Sequence, residues 1–99
     1  MYDYKLLPSA KQDVVGAFKW YEKESKGLGY LFMQELSSEI KKLDNPLIKE
    51  RRVFLDFQKH ICKKFPYYIY YKKDGDKKLI IIFAVLHKKQ DSSQFYNRI

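Results

Sequence analysis

The spacing of apolar residues changes near residue 50, from steps of three and four to steps of two. Before that point, one apolar stripe runs from Ala10 to Tyr21 and a second from Leu28 to Leu43, each at helical spacing. After it, apolar and polar residues alternate, which is typical of strands. The sequence therefore predicts a helical first half followed by a sheet.

The two helices are predicted to form an antiparallel hairpin, because residues 28–29 are only a minimal link between them. Gly27 suits the left-handed residue that closes the first helix, since glycine adopts that conformation without steric cost. The second helix is expected to stop at residues 44–46, where Asp-Asn-Pro follows the last apolar position of its stripe.

The start of the first helix has its own sequence signal. Ser9 and Gln12 have the spacing of a capping box, in which each side chain accepts a backbone hydrogen bond at the helix terminus. The helix is therefore predicted to begin at Ala10 and to run to about Lys26.

Four strands are predicted, at residues 2–7, 53–65, 67–72 and 79–86. The second is expected to be half-buried, with one apolar and one polar parity, and to bend near Lys59. Its apolar parity holds Val53, Leu55, Phe57, Ile61 and Phe65, and its polar parity holds Asp56, Gln58, His60 and Lys64. The last strand is apolar on both parities, so it is expected to be central. The tail after it is polar, with room for one helical turn.

These elements predict an α+β fold in the order β-α-α-β-β-β. The antiparallel α-hairpin packs on one face of a small, mostly antiparallel sheet. A chain of 99 residues supports one core, so residues 1–99 are expected to form a single domain.

The single cysteine and the absence of long apolar runs suggest where the protein acts. Cys62 has no partner for an intramolecular disulfide, which is typical of a reducing compartment, and a buried structural thiol is a better interpretation of it than a nucleophile. We see no signal peptide, and no apolar run approaches the roughly 20 residues that a membrane helix needs. We therefore expect a cytoplasmic protein with no membrane partner.

All of the net positive charge lies in the second half of the chain. Residues 1–48 hold seven Lys and seven acidic residues, whereas residues 49–99 hold thirteen Lys or Arg against five acidic residues, which gives the net +8. A basic, aromatic-rich sheet indicates an anionic partner, such as a nucleic acid, a nucleoprotein machine or an acidic protein segment.

Eight basic residues of this half are predicted to form a target-binding surface if the last strands form a meander. They are Arg51, Arg52, Lys59, Lys63, Lys64, Lys88, Lys89 and Arg98. Tyrosines at positions 67, 68, 70 and 71 run alongside, and basic side chains interleaved with aromatics are typical of surfaces that bind phosphates and bases. The alternative is a solvated sheet face whose lysines protect an edge strand from pairing.

Few residues suit catalysis or metal binding. The chain has two histidines, His60 and His87, and no paired-cysteine motif, HExxH motif or glycine-rich phosphate loop, so no metal and no cofactor are expected. His87, between a strand end and Lys88, is a candidate general base or a hydrogen-bonded strand-end histidine. Tyr96 and Arg98 in the tail either complete a site or cap the fold.

The order of several short motifs along the chain is distinctive. They are A-x-x-D-V at 10–14, W-Y-E at 20–22, G-L-G at 27–29, D-N-P at 44–46, K-K-F-P-Y-x-I-Y-Y at 63–71 and I-I-x-F-A-V-x-H-K-K-x-D at 80–91. In this order they resemble the ParE–RelE toxin superfamily of bacterial toxin–antitoxin systems, above all its ParE-like "plasmid stabilisation" branch. The resemblance covers nearly the whole chain.

The resemblance implies a small basic toxin of a type II toxin–antitoxin system, neutralised by a cognate antitoxin protein. ParE-like members inhibit DNA gyrase and have no established catalytic set. RelE-like members cut messenger RNA on the ribosome, using basic residues and a tyrosine. Apolar grooves around the α-hairpin would receive an antitoxin helix, and an exposed sheet edge would accept a strand.

Position by position, the chain matches the ribonuclease branch poorly. Lys59 fits its first basic position, but Ile61 and Tyr68 stand where the resemblance implies basic residues. An endoribonuclease would depend on Lys59, His87, Lys89, Tyr96 and Arg98. The ParE-like pattern also differs, with Gln90 before the tail aspartate and Phe95-Tyr96 in place of a tryptophan. The leading hypothesis is a non-catalytic gyrase inhibitor, and the alternatives are a ribosome-dependent endoribonuclease and a non-toxic antitoxin-binding module.

Overall fold

The computed structural model describes residues 2–48, 50–90 and 92–98, apart from the side chain of Arg51. Within these ranges it contains five strands, two long helices, a 3₁₀ turn at Lys42–Asp44 and one short helix. The strands are β1 (Asp3–Leu6), β2 (Arg51–Phe54), β3 (Phe57–Ile61), β4 (Tyr67–Asp74) and β5 (Leu79–His87), and the helices are α1 (Pro8–Glu24), α2 (Leu28–Lys41) and α3 (Ser93–Tyr96).

The strands form one sheet in the order β1-β5-β4-β3-β2. β1 runs parallel to β5, and the other neighbours are antiparallel. β5 therefore lies inside the sheet, as its apolar residues on both parities predicted, and β1 and β2 are the edges. The predicted fold class, an α-hairpin on a mostly antiparallel sheet, is confirmed.

The two faces of the sheet are covered unequally. The α-hairpin buries one face, where Phe32 and Leu36 of α2 meet Ile69 and Tyr71 of β4. The opposite face, called the outer face here, is covered by α3, whose Phe95 is fully buried and stacks on Tyr70 with the ring centroids 4.4 Å apart. The polar tail thus contributes a core residue that its composition did not indicate.

The prediction for the start of α1 was wrong. The helix begins at Pro8 and its N-cap residue, Leu7, makes no side-chain capping bond. Proline suits the first helical position, because the N–H group it lacks would have no partner there. The Ser9 hydroxyl instead donates to the carbonyl of Phe83 on β5 at 3.4 Å. At its other end the helix stops at Glu24, two residues before the predicted Lys26.

The hairpin link is fastened by a carboxylate of α1. Gly27 has φ of 91°, the left-handed conformation that its position predicted. The Glu22 carboxylate accepts hydrogen bonds from the N–H groups of Gly27 and Gly29, both at 2.9 Å. These are N–H groups that the start of α2 would otherwise leave without a partner.

The predicted strand at 53–65 is divided into two. β2 and β3 are joined by a turn at Leu55 and Asp56, so the chain reverses there, whereas β3 continues through Lys59, where the bend was predicted. The predicted burial is also wrong at three positions, because Leu55 and Ile61 are 68% and 61% exposed whereas His60 is 8% exposed. The side chain of His60 points under α2 because it pairs there with acidic side chains, which the alternation of residues cannot indicate.

Two helical glycines provide a matched test of the hairpin packing. A Cβ atom at Gly29 would lie 2.7 Å from the backbone oxygen of Phe18, whereas at Gly16 it would meet nothing within 4 Å. We expect Gly29→Ala to lower the free energy of unfolding by about 2 kcal/mol through overpacking. Gly16→Ala should raise it by about 1 kcal/mol through helix propensity. Urea unfolding checks both values, and equal effects would contradict the close approach of the helices at Gly29.

Candidate functional site

A groove opens where β3 ends and β4 begins. The turn is held by backbone bonds, from the N–H of Cys62 to the carbonyl of Tyr67 at 3.0 Å and from the N–H of Lys88 to the carbonyl of Pro66 at 2.9 Å. These bonds place Lys63 and Lys64 beside the residue that follows β5. The basic groove, as it is called here, measures about 340 Å³ and is lined by Ile61, Cys62, Lys63, Lys64, Pro66, Tyr67, Tyr68 and Lys88.

The charge of the basic groove is almost uncompensated. No acidic side chain is among its lining residues in the part of the chain that the structure describes. Lys64 pairs with Glu35 at 3.1 Å, but its side chain is 72% exposed, so solvent screens most of that attraction. The groove can therefore attract an anionic group, and Tyr68 adds an aromatic surface.

Lys59 lies on the outer face. Its Nζ atom is 4.5 Å from the ring centroid of Tyr68, a cation–π contact across neighbouring strands. Arg51 is the backbone partner of Lys59 on β2. Ile61 follows Lys59 on the same face, so the second position where the resemblance implies a basic residue holds an exposed apolar side chain. Tyr96 of α3 donates its hydroxyl to the carbonyl of Val53 at 3.4 Å.

Arg98 is held by an acidic residue of α1. Its guanidinium makes a bidentate pair with Asp13, at 2.6 and 2.8 Å, and the same carboxylate accepts the N–H of Val85 at 3.0 Å. The hydrogen bond to Asp13 raises the pKa of Arg98. Arg98 thus ties the tail to α1 and β5, away from the basic groove.

His87 occupies the end of β5 on the helix-covered side of the sheet. Its ring meets the edge of Tyr67, with the centroids 5.2 Å apart, and its Nδ1 accepts the N–H of Lys89 at 3.0 Å. Tyr67 and Tyr68 point to opposite faces because side chains alternate along a strand. His87 therefore faces away from Lys59.

The five residues of the ribonuclease hypothesis are consequently dispersed. Lys59 and Tyr96 lie on the outer face, His87 packs on Tyr67, and Arg98 binds α1. Lys89 is exposed after β5, and Arg52 is exposed on β2. The structure brings Lys63, Lys64 and Lys88 of the predicted target-binding set to one groove and leaves the others at its periphery or beyond.

A buried polar cluster beneath the basic groove was not predicted. Glu39 of α2 is 4% exposed and accepts hydrogen bonds from Lys42 Nζ at 2.6 Å and from the N–H of Lys63 at 3.0 Å. His60 bridges Glu39 and Glu50, with its Nε2 3.3 Å from Glu39. The only sequence signal was the position of Glu39 between Leu36 and Leu43 on the buried stripe of α2.

The charge state of Glu39 follows from these contacts. Burial acts to raise the pKa of its carboxyl group, but the hydrogen bonds from Lys42 and Lys63 and the charge of His60 outweigh burial and lower the pKa below its usual 4.5. At Cys62 burial is the dominant effect and raises the pKa of the thiol to about 12. That thiol stays protonated at neutral pH, which agrees with a structural role.

Solved structures of known proteins share this fold. The chromosomal ParDE toxin–antitoxin system of P. aeruginosa contains a chain with a TM-score of 0.74 at 14% identity, covering 88% of this chain and 96% of that one. The isolated E. coli RelE toxin gives 0.55 at 15% identity, covering 98% and 95%. A variant E. coli RelE in complex with a RelBc antitoxin peptide gives 0.60 at 18% identity, covering 97% and 90%.

The chain therefore shares the fold of the ParE and RelE toxins. A sequence model of one family, described as the ParE toxin of the type II toxin–antitoxin system parDE, matches residues 4–92. The chain belongs to this family, which confirms the resemblance that its motifs indicated. No curated protein sequence matches it significantly. No helix among the described residues is long and apolar enough to cross a membrane.

Glu39 is expected to contribute to stability in a pH-dependent way. Glu39→Gln removes the charge that three donors stabilise, so it should cost about 2 kcal/mol at neutral pH. Because the folded pKa of Glu39 lies below its unfolded value near 4.5, this contribution is complete above that pH and disappears as the pH falls below it. Urea unfolding of both proteins at pH about 7 and about 3 measures the difference.

The matched control for Glu39 is Glu35→Gln, which removes the partly buried partner of the exposed Lys64 side chain. It should change stability by less than about 0.5 kcal/mol at either pH. A Glu39→Gln cost that stays constant with pH would contradict the assignment of Glu39 as the stabilising charge.

The pair of Asp13 and Arg98 is expected to act as a unit. Arg98→Gln and Asp13→Asn should each lower the free energy of unfolding by about 2 kcal/mol, because each leaves a partly buried charge without its partner. The double variant should lose less than the sum, with a coupling of at least about 1 kcal/mol in a double-mutant cycle. Additive losses would show that the two side chains contribute independently.

Proposed function

We propose that this protein inhibits DNA gyrase by binding it, without catalysing a reaction, and that it acts in the cytoplasm as one domain held inactive by a cognate antitoxin. The observation that carries the proposal is the basic groove, where Lys63, Lys64 and Lys88 meet with no acidic lining residue among those described. A surface of this charge favours an anionic macromolecular partner. Lys59, which lies over the ring of the lining residue Tyr68, and Lys89, which follows Lys88, add positive charge beside it.

Membership of the ParE family supports gyrase as the target, because the motifs resemble the gyrase-inhibiting branch. The dispersal of the residues that an enzyme would need supports a binding mechanism. A general base must lie within hydrogen-bond reach of the proton that it removes, and His87 and Lys59 are on opposite faces of the sheet.

A second groove suits the antitoxin. It measures about 260 Å³ and lies between β1 and the α-hairpin, lined by Tyr4, Leu6, Val14, Met33, Leu36, Ser37, Ile40 and Lys41. Met33 is 39% exposed, and the groove is almost entirely apolar, which suits the apolar face of an amphipathic helix. β1 is an edge strand, so an antitoxin strand can pair beside the same groove.

The antitoxin partner is supported by the structural relatives. The P. aeruginosa relative is a ParDE system, and one E. coli RelE relative is bound to an antitoxin peptide. The apolar groove near β1 and the basic groove are lined by different residues. We infer that the antitoxin and the target contact different surfaces of this chain.

A second candidate function is ribosome-dependent cleavage of messenger RNA. It is favoured by the outer face, where Lys59 lies over Tyr68 and Tyr96 is held near β2. Basic and aromatic side chains on one face can bind a ribose–phosphate backbone. Ile61 and Tyr68 stand where two charge-stabilising residues would be needed, and each such group typically supplies about 3 kcal/mol to the transition state.

The gyrase proposal predicts that reversing the charge of the basic groove abolishes toxicity. The variant K63E/K64E/K88E/K89E should lose at least about tenfold in gyrase inhibition, because each glutamate repels an anionic surface that lysine attracts. Supercoiling assays with purified gyrase, and growth after tightly controlled induction, provide the measurement. Circular dichroism melting confirms that the variant folds.

The control variant carries the same change in net charge on and just after α1, as K11E/K19E/K23E/K26E, where all four lysines are exposed. It should inhibit like the wild type. If the groove variant stays equally toxic, the basic groove is not the target-binding surface. Early arrest of protein synthesis with codon-positioned cuts would support the ribonuclease, and harmless expression with tight antitoxin binding would support a binding module.

A further inference from the structure

The hairpin between β2 and β3 ends in an unusual turn. Phe54 and Phe57 are register partners, so Leu55 and Asp56 are the two central residues of the turn. Leu55 has φ of 49°, in the left-handed region. Turns with positive φ at this position strongly favour glycine, or asparagine, because a side chain there crowds the backbone.

The Leu55 side chain gains little within the chain in return for this strain. It is 68% exposed, so most of its apolar surface stays in water. Among the described residues, the only other non-glycine with positive φ is Lys78, whose polar side chain is suited to solvent. A bulky apolar residue that is both strained and exposed is unfavourable twice, which is a combination found where a side chain serves a partner.

The neighbours of Leu55 support the same surface. Phe54 is 44% exposed and its ring lies 6.1 Å from that of Tyr96, centroid to centroid. Tyr96 is anchored in turn by its hydroxyl bond to Val53. The end of this edge hairpin therefore presents two adjacent apolar side chains, and contacts with Tyr96 hold the hairpin in place.

We propose that Phe54 and Leu55, called the hairpin tip here, insert into an apolar pocket with an acidic rim on the surface of gyrase. This inference rests on the proposed function. The acidic rim follows from the net charge around the tip. Exposed Arg52, two residues before Phe54, and Lys59 of the neighbouring strand outnumber exposed Asp56, which follows Leu55 in the turn.

The same observations disfavour the other occupants. A second copy of this chain would carry the same net charge of +8, so its approach would be opposed by repulsion. A phosphate backbone offers no pocket for two apolar side chains, and base stacking would use Phe54 but not Leu55. A protein pocket uses both, as an apolar anchor surrounded by a charged rim.

The test separates the Leu55 side chain from its backbone conformation. Leu55→Gly should keep or raise the melting temperature, by up to about 5 °C, because it relieves the strain. It should nevertheless weaken gyrase inhibition at least about tenfold, as loss of an interface anchor does. Lys78→Gly makes the same backbone change elsewhere, and Leu47→Asn removes another exposed leucine, so both should inhibit like the wild type.

The outcomes distinguish the hairpin tip from the proposed function. If the wild type inhibits gyrase and Leu55→Gly inhibits equally, the tip is overturned and the proposed function stands. If the wild type arrests growth without inhibiting gyrase, the proposed function fails. Growth arrest by Leu55→Gly then becomes the measurement that tests the hairpin tip. If only Leu55→Gly loses growth arrest, the result supports insertion of the tip into another protein. If Leu55→Gly still arrests growth, the hairpin tip is overturned. A wild type that neither inhibits gyrase nor arrests growth overturns both.

Discussion

A buried carboxylate on α2 joins the helical layer to the part of the sheet that carries the basic groove. Glu39 receives donors from Lys42 in the 3₁₀ turn after its helix, from β3 through His60 and from the backbone of Lys63 in the turn after β3. The turn is therefore fixed by a charged hydrogen bond from beneath, while the lysine side chain at the same residue is exposed. Rigid support for an exposed charge lowers the entropy that is lost when a partner binds. The position of the groove thus depends on a residue that no partner would touch.

The arrangement also separates two kinds of surface. The apolar groove near β1 is lined entirely by residues of the neutral first half of the sequence, and the basic groove entirely by residues of the second half. Apart from the edge strand β1, the first half forms the helical layer and the second half forms the sheet, so the charge asymmetry along the chain becomes an asymmetry in space. An antitoxin can then be recognised mainly by apolar burial, and a target mainly by charge, with little competition between the two chemistries.

The elements that local spacing determines were predictable from the sequence. The two helices and the interior strand could be predicted from the spacing of their apolar residues. The link between the helices could be predicted from Gly27, because its positive φ is a requirement of the local turn. The missed polar contacts join residues that are far apart in the chain. Glu39 meets His60 from 21 positions away, and Asp13 meets Arg98 from 85 away, so no period in the sequence relates them. Phe95 was missed because one buried ring in a polar tail leaves no pattern.

The difference between local spacing and long-range contacts also explains why the sequence analysis predicted one surface of eight basic residues, whereas the fold disperses them. Strand alternation assigns a face only when the strand boundaries are known, and the turn at Leu55 divides the predicted strand. Charge alone also cannot tell a cation that is free to bind from one that is already paired. Arg98 has a carboxylate partner on α1, whereas among the described residues the groove lysines have only Glu35, which pairs with the exposed side chain of Lys64. The lysines that remain uncompensated repel one another, and this repulsion is tolerable only because the groove is open to water. An anionic partner would remove this repulsion between the lysines. Part of the binding free energy for such a partner therefore comes from repulsion that already exists in the unbound protein.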